Sequence, residues 1–258
     1  MRLAILQCPA AGGDRSAAEA RLTEALTAAG KAGCDLLHAP ELMLPGYNCP
    51  ETHDREARSF DEMCSDLARM ASASGCGVVT GWVERDGDTL YNVATAVSAE
   101  GAVLAHHRKC MLFGDMERAG FARGTGAPCR FDYRGRRFGL LICYEIEFPE
   151  LARDLARSGA EVMLVPTANP AGFEHVQRIL LPARANENRA FVAYANFCGT
   201  ENGMTYSGRS LLAGPDGETI MAAGQAPALL IGELPQIGDY PQDVLSIQAQ
   251  DLDEMQRG

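Results

Sequence analysis

Lysine is nearly absent from this chain: Lys31 and Lys109 stand alone, and arginine supplies the rest of the 23 basic side chains. Against 34 acidic residues this leaves a net charge of −11. Phosphate contact needs clustered cations, so the deficit argues against nucleic acid and anionic membrane surfaces as partners. No apolar run approaches the roughly 20 residues that a membrane-crossing helix needs. The nine cysteines are odd in number, with no C-x-x-C pair, no His-x-x-x-His pair and no Cys/His cluster. Neither a metal centre nor a disulfide framework is expected. The opening residues, MRLAILQCPA, read as a strand and not as a secretory leader. The expectation is a reducing, cytoplasmic setting with free thiols.

Internal repeats, low-complexity linkers and composition shifts are also missing. A chain of 258 residues that is 47% hydrophobic can bury a large core. One domain over residues 1–258, with a polar, unpatterned tail from 234 to 258, is the simplest organisation. Apolar runs predict strands at 3–7, 35–40, 78–84, 90–98, 103–107, 130–133, 137–142, 162–165, 191–196, 209–213, 218–222 and 226–232. Helical spacing covers 16–31, 55–74, 149–157 and 175–189, the last interrupted at Pro182. Strands that alternate with helices, with hairpins among them, predict an α/β fold with mixed sheets covered by helices.

Three stretches then carry the chemistry: APELMLPGY around Glu41, HRKCMLFGDME around Lys109 and LLICYEIEFPE around Cys143. Each sets one reactive side chain at or just past the end of an apolar run, where an α/β fold points residues into a shared cleft. Cys143 sits at a strand-to-helix turn, near N–H groups with no intrahelical partner, which favour a thiolate or an oxyanion. Glu41 is the candidate base, since burial would raise its pKa toward working pH. Lys109 can stay charged and hold an oxyanion, or lose its proton and act as a base. In a chain so biased to arginine, a lysine at this position stands out. Glu117, eight residues on, is a candidate to orient the amine of Lys109 or a substrate nitrogen. His106 and His107 adjoin Lys109, but neighbours on a strand face opposite ways, so at most one can reach the sulfur.

In order and local sequence, Glu41, Lys109 and Cys143 resemble the Glu-Lys-Cys triad of the nitrilase, or carbon-nitrogen hydrolase, superfamily. Matching stretches are Pro40-Glu41 with Pro45-Gly46-Tyr47, Arg108-Lys109 with Leu112-Phe113, and Cys143-Tyr144-Glu145 with Phe148-Pro149-Glu150. Pro166-Thr167-Ala168-Asn169, residues 184–189 and Gly214-Pro215-Asp216-Gly217 also match. The likeness runs from about residue 3 to residue 234. It implies a four-layer α-β-β-α sandwich of two mixed sheets, assembled as a homodimer or higher homo-oligomer, with no metal or organic cofactor. It also implies Glu117 as a second catalytic glutamate and the Tyr144 N–H as an oxyanion donor beside Lys109. Tyr47, Glu145 and Asn169 are candidates for substrate contact. Within the superfamily the chain looks most like the aliphatic amidases, near 5-aminopentanamidase and the R-stereoselective amidases. The implied activity is hydrolysis of a small carboxamide through a cysteine thioester. A nitrilase or N-carbamoyl amine hydrolase would use the same triad, and a noncatalytic thiol sensor or binding protein is the rival from another class. For an amine-bearing substrate, Glu145, Asp115 and Glu201 are the acidic candidates.

Overall fold

The computed structural model describes residues 1–126 and 129–257; residue 258, the end of the predicted tail, lies outside them. In chain order the first half runs β1 (Arg2–Pro9), α1 (Arg15–Lys31), β2 (Leu36–His38), α2 (Pro50–Glu56), α3 (Phe60–Ser74), β3 (Gly77–Asp86), β4 (Thr89–Val97), β5 (Val103–Arg108) and α4 (Gly114–Gly120). The second half runs β6 (Arg130–Tyr133), β7 (Arg136–Leu140), α5 (Pro149–Arg157), β8 (Val162–Pro166), α6 (Leu181–Asn188), β9 (Phe191–Ala195), β10 (Phe197–Glu201), β11 (Met204–Ser207), β12 (Leu211–Ala213), β13 (Thr219–Ala222), β14 (Ala228–Glu233) and α7 (Gln248–Arg257).

The strands form an eight-stranded sheet, ordered β11-β10-β1-β2-β3-β4-β5 with β14 also on β1, and a six-stranded sheet ordered β13-β12-β9-β8-β7-β6. Both are mixed: β1, β2 and β3 pair in parallel, as do β7, β8 and β9, while the outer hairpins are antiparallel. Alternation along each strand decides the layering. Leu3 and Ile5 of β1 face Phe138, Leu140, Leu164 and Ala193 of the other sheet. Ala4 and Leu6 face the opposite way, onto Leu22 and Leu26 of α1 and Leu67 of α3. On the six-stranded sheet, Met163, Val165 and Val192 face outward onto Leu155 of α5 and Leu181 and Ala185 of α6. Three apolar slabs separate four layers, α-β-β-α, as the resemblance implies.

Helix boundaries differ from the sequence reading where capping overrides periodicity. The expected helix at 55–74 is two helices, because Ser59 accepts from the Glu62 N–H while the Glu62 carboxylate takes the Ser59 N–H, a capping box that starts α3 afresh. The stretch 175–189 does break at Pro182: a π-turn over Val176–Leu180 gives way there to α6, with Pro182 in its first turn, where a residue without an N–H is best tolerated. The tail is more ordered than expected: Leu245 is buried and α7 closes the chain. Among the described residues no helix is long and apolar enough to cross a membrane.

Candidate active site

Glu41 lies three residues past β2, in a segment threaded beneath β3. The Ala39 N–H donates to the Val79 carbonyl at 2.8 Å, the Gly81 N–H to Pro40 at 3.0 Å, and the Leu44 N–H to Gly81 at 3.3 Å. Gly81 permits this closeness: a Cβ there would stand 2.3 Å from the Leu42 nitrogen and 2.6 Å from the Glu41 Cα. The Glu41 carboxylate is fully buried. Its Oε1 accepts from Asn92 Nδ2 at 2.7 Å and from Lys109 Nζ at 2.6 Å. Its Oε2 has no hydrogen-bond partner among the described residues.

Lys109 follows β5 directly, its N–H fixed on the Asn92 carbonyl at 2.8 Å. The buried Nζ bridges Glu41 Oε1 and Glu117 Oε1 at 2.6 and 2.7 Å. An ammonium has three N–H donors, so one is left over. Glu117, from α4, is held from two further sides: Tyr47 Oη donates to its Oε1 at 2.7 Å and the Phe113 N–H to its Oε2 at 2.9 Å. Burial works against the charge on Lys109, but Glu117 and Glu41 outweigh it and keep the ammonium well above the usual lysine range. Burial, reinforced by Glu117, pushes the Glu41 carboxyl up, while Lys109 and Asn92 oppose.

Cys143 comes from the other sheet, just beyond β7, and opens a 3₁₀ turn over Cys143–Glu147. Its φ of 48° is left-handed, a conformation that costs a non-glycine residue about 1–2 kcal/mol. The Thr167 hydroxyl and the Ala168 backbone approach the sulfur, which also feels the charges of Glu41 and Lys109. Burial and then Glu41 raise the thiol pKa far above the ordinary value, and Lys109, Thr167 and Ala168 only partly oppose them. This environment favours the neutral thiol over the thiolate. The Cys143 and Tyr144 N–H groups head the turn, where no carbonyl within it can accept from them. The Tyr144 ring packs edge-on to Phe113 and Phe148, with centroids 5.2 and 4.9 Å apart.

Glu41, Lys109, Glu117 and Cys143 thus come together, with Tyr144 next to the sulfur on the same turn, and the other candidates are placed as follows. Glu145 is no substrate contact: its buried carboxylate takes His107 Nε2 at 2.8 Å, the Cys110 N–H at 2.6 Å and the Ile142 N–H at 2.7 Å. The hydroxyl hydrogen of Tyr47 is engaged by Glu117. The Asn169 amide donates to the Phe173 carbonyl at 3.2 Å and Gln177 Oε1 at 3.0 Å, supporting the loop that follows β8. Glu201 holds the Gly12, Tyr47 and Asn48 N–H groups and the Tyr206 hydroxyl. Asp115 points into solvent, 3.9 Å from Arg118. Of the two histidines, His106 bonds Thr95 and Glu84, and His107 bonds Glu145, so neither pairs with the thiol. His107, Cys110 and Glu145 offer ligand atoms within 4.8 Å of one another, but the N–H groups above already occupy the carboxylate, an arrangement suited to a clamp more than to a cation. Asn92 escaped the sequence reading, although an amide inside a β-rich strand is itself a signal.

The layered fold and its buried charges define an enzyme that hydrolyses carbon–nitrogen bonds. The chain belongs to the carbon-nitrogen hydrolase family, whose pattern it matches over residues 2–242. It is 41% identical to a protein described as hydrolase in pqqF 5′ region from Pseudomonas protegens, over 91% of this chain and 82% of that one. It is 32% identical to an (R)-stereoselective amidase from Pseudomonas sp., covering 91% and 85%. Among solved structures it is similar to the amidase from Nesterenkonia sp. AN1, in a Glu-to-Gln mutant with the acetamide moiety of fluoroacetamide added covalently at the active-site cysteine. The TM-score is 0.87 at 34% identity, covering 98% of this chain and 96% of that one.

Proposed function

We propose that the protein hydrolyses a small carboxamide to its carboxylic acid and ammonia through a thioester on Cys143. The observation that carries this reading is the unpartnered, buried Oε2 of Glu41, a carboxylate oxygen with a raised pKa in the same electrostatic neighbourhood as a neutral thiol. A thiol that resists ionisation needs its proton removed as it attacks, and Glu41 is the base available. Cys143 Sγ bonds to the carbonyl carbon while its proton passes to Glu41. The spare N–H of Lys109 and the Tyr144 N–H hold the oxyanion. Glu41 then protonates the nitrogen, the C–N bond breaks and ammonia leaves. Water attacks the thioester, giving its proton to Glu41, and the thiolate recovers that proton as the acid departs. Glu117 keeps Lys109 aimed and charged. In the Nesterenkonia amidase the active-site cysteine carries the acetamide moiety of fluoroacetamide, an alkylation that marks that cysteine as a nucleophile and supports Cys143 as the nucleophile here.

The test is intact-mass spectrometry after mixing with short amides, each beside its matching nitrile. Mass equal to the acyl group, trapped on the native enzyme and absent from Cys143→Ala, is the expected result, with ammonia release abolished in the variant. Turnover of the nitrile alone would reassign the activity to nitrilase chemistry, and carbon dioxide released with ammonia would reassign it to carbamoyl amines. A fully active Cys143→Ala enzyme ends the proposal.

A further inference from the structure

Building on the amide-hydrolase reading, we propose that Asn92 is a positioning residue for the base: its amide, together with the Lys109 ammonium, fills the lone pairs of Glu41 Oε1 and so reserves Oε2 as the atom that takes and returns the proton. Asn92 is fully buried on β4. It stands opposite Val83 of β3, and its neighbour Val93 stands opposite Arg108 of β5. The pairing with β5 runs one residue further, where the Lys109 N–H donates to the Asn92 carbonyl at 2.8 Å. Asn92 therefore holds both charged partners, Lys109 through its backbone and Glu41 through its side chain, with Nδ2 2.7 Å from Oε1.

An ionised carboxylate can only accept, so the amide must present its NH₂ to Glu41. A carboxylate oxygen has room for two good donors, and Oε1 has them in Asn92 Nδ2 and Lys109 Nζ at 2.7 and 2.6 Å. Oε2 has no hydrogen-bond partner among the described residues. A proton leaving the thiol therefore lands on Oε2, and Oε1 becomes the carbonyl oxygen of the acid, still holding both donors. The carboxyl keeps one orientation each time it accepts a proton and gives it back.

The other end of the Asn92 amide carries an independent argument. Its Oδ1 is buried and has no hydrogen-bond partner among the described residues. An orphaned buried carbonyl oxygen lowers stability, and asparagine is a poor strand residue. Leucine, branched at the same carbon, would serve the strand better on both counts. What the amide supplies instead is the bond to Glu41, which opposes the effect of burial and favours the ionised, proton-accepting carboxylate.

The test follows the pH dependence of two rates, kcat/KM for a short amide and alkylation of Cys143 by iodoacetamide. Native enzyme, Asn92→Leu and Asn92→Asp are compared, with thermal midpoints. Removing the donor raises the Glu41 pKa, so the acidic limb of both profiles in Asn92→Leu should move up by about one pH unit. Below the limb this is about a tenfold fall in rate, with the midpoint kept or raised. Asn92→Asp sets a second acid against Oε1 and should move the limb further in the same direction. Limbs that stay in place in whichever variant folds overturn the proposal; with a lowered midpoint they make Asn92 a packing residue only. An alkylation limb that shifts in a protein that hydrolyses no amide upholds the role of Asn92 and sinks the amide-hydrolase reading alone. Amide turnover with unmoved limbs does the reverse.

Discussion

The two sheets contribute unlike things to the site. The eight-stranded sheet and its loops supply every charge in the central cluster: Glu41 after β2, Lys109 after β5, Glu117 from α4, with Asn92 of β4 bonded to Glu41. The six-stranded sheet supplies neutral groups: the Cys143 thiol after β7, and the Thr167 hydroxyl and Ala168 backbone after β8. One half is a closed network of short hydrogen bonds; the other carries a strained turn and a thiol that keeps its proton. Division of this kind makes the relative placement of the halves a chemical variable, and Glu145 governs it. Its carboxylate, on the turn of the six-stranded sheet, holds the Ile142 N–H just ahead of the nucleophile and the Cys110 N–H just after the lysine.

The strongest way to break the charged half is Lys109→Met. Glu41 and Glu117 would then face each other, buried, without the cation between them. Removing one partner of a buried ion pair typically costs about 3–5 kcal/mol. For a chain of this size that is a fall of roughly 10 °C in the thermal midpoint. Loss of the oxyanion donor raises the barrier by a further ~3 kcal/mol, at least a hundredfold fall in kcat. Calorimetry and an ammonia-release assay measure both. Adding Glu117→Gln should restore most of the midpoint and none of the rate, separating charge balance from chemistry. An active, undiminished Lys109→Met protein would show that the network is not organised around its cation.

Glu145→Gln acts on the joint. Glutamine keeps the shape but has one carbonyl oxygen, so its NH₂ must face at least one N–H that then finds no acceptor. Burial alone would raise the Glu145 pKa; the His107 ring and Cys110 hold it below the ordinary range, so the native clamp is an anion. Hydrogen bonds to charged groups contribute about 1.5–3 kcal/mol each. The expected outcome is a ten- to hundredfold fall in kcat with KM little changed, because the nucleophile and lysine drift apart while the pocket wall remains. A proportionate rise in KM with native kcat would mean that Glu145 shapes substrate binding after all.

This joint also marks the limit of what sequence could reveal. The strand ends bearing Glu41, Lys109 and Cys143 were legible because apolar runs stop abruptly at each. The β10–β11 hairpin was not read, although Asn202-Gly203, with φ of 45° and 86°, is a strong two-residue turn signal. The strands around it are short and polar, and their alternation is weak. In sequence Glu145 is a candidate for substrate contact, since three glutamates crowd residues 145–150 and nothing in their spacing tells which one turns inward. Its partners across the sheet interface, His107 and Cys110, lie 38 and 35 residues away in sequence. Only the fold sorts Glu145 into a clamp.

The mildest expectation concerns the interface between the halves. His38, the last residue of β2, is fully buried between the sheets, near the backbone of Val165 and Ala193 in the facing sheet, and neither ring nitrogen makes a hydrogen bond of good geometry. Burial pushes its pKa down from 6.5 to about 3. Between those values the unfolded chain binds a proton that the folded chain refuses. The stability linked to His38 is therefore complete above pH 6.5 and lost as pH falls toward 3, at no more than about 1.4 kcal/mol per pH unit. His38→Leu fills similar space without a titrating group. Urea unfolding from pH 7 down to 4 should give a flatter stability curve for the variant by up to one proton, with turnover at pH 7 unchanged because the ring touches none of the reacting groups. Parallel curves for the two proteins would place the acid sensitivity in the carboxylates of the charged half and acquit the sheet interface.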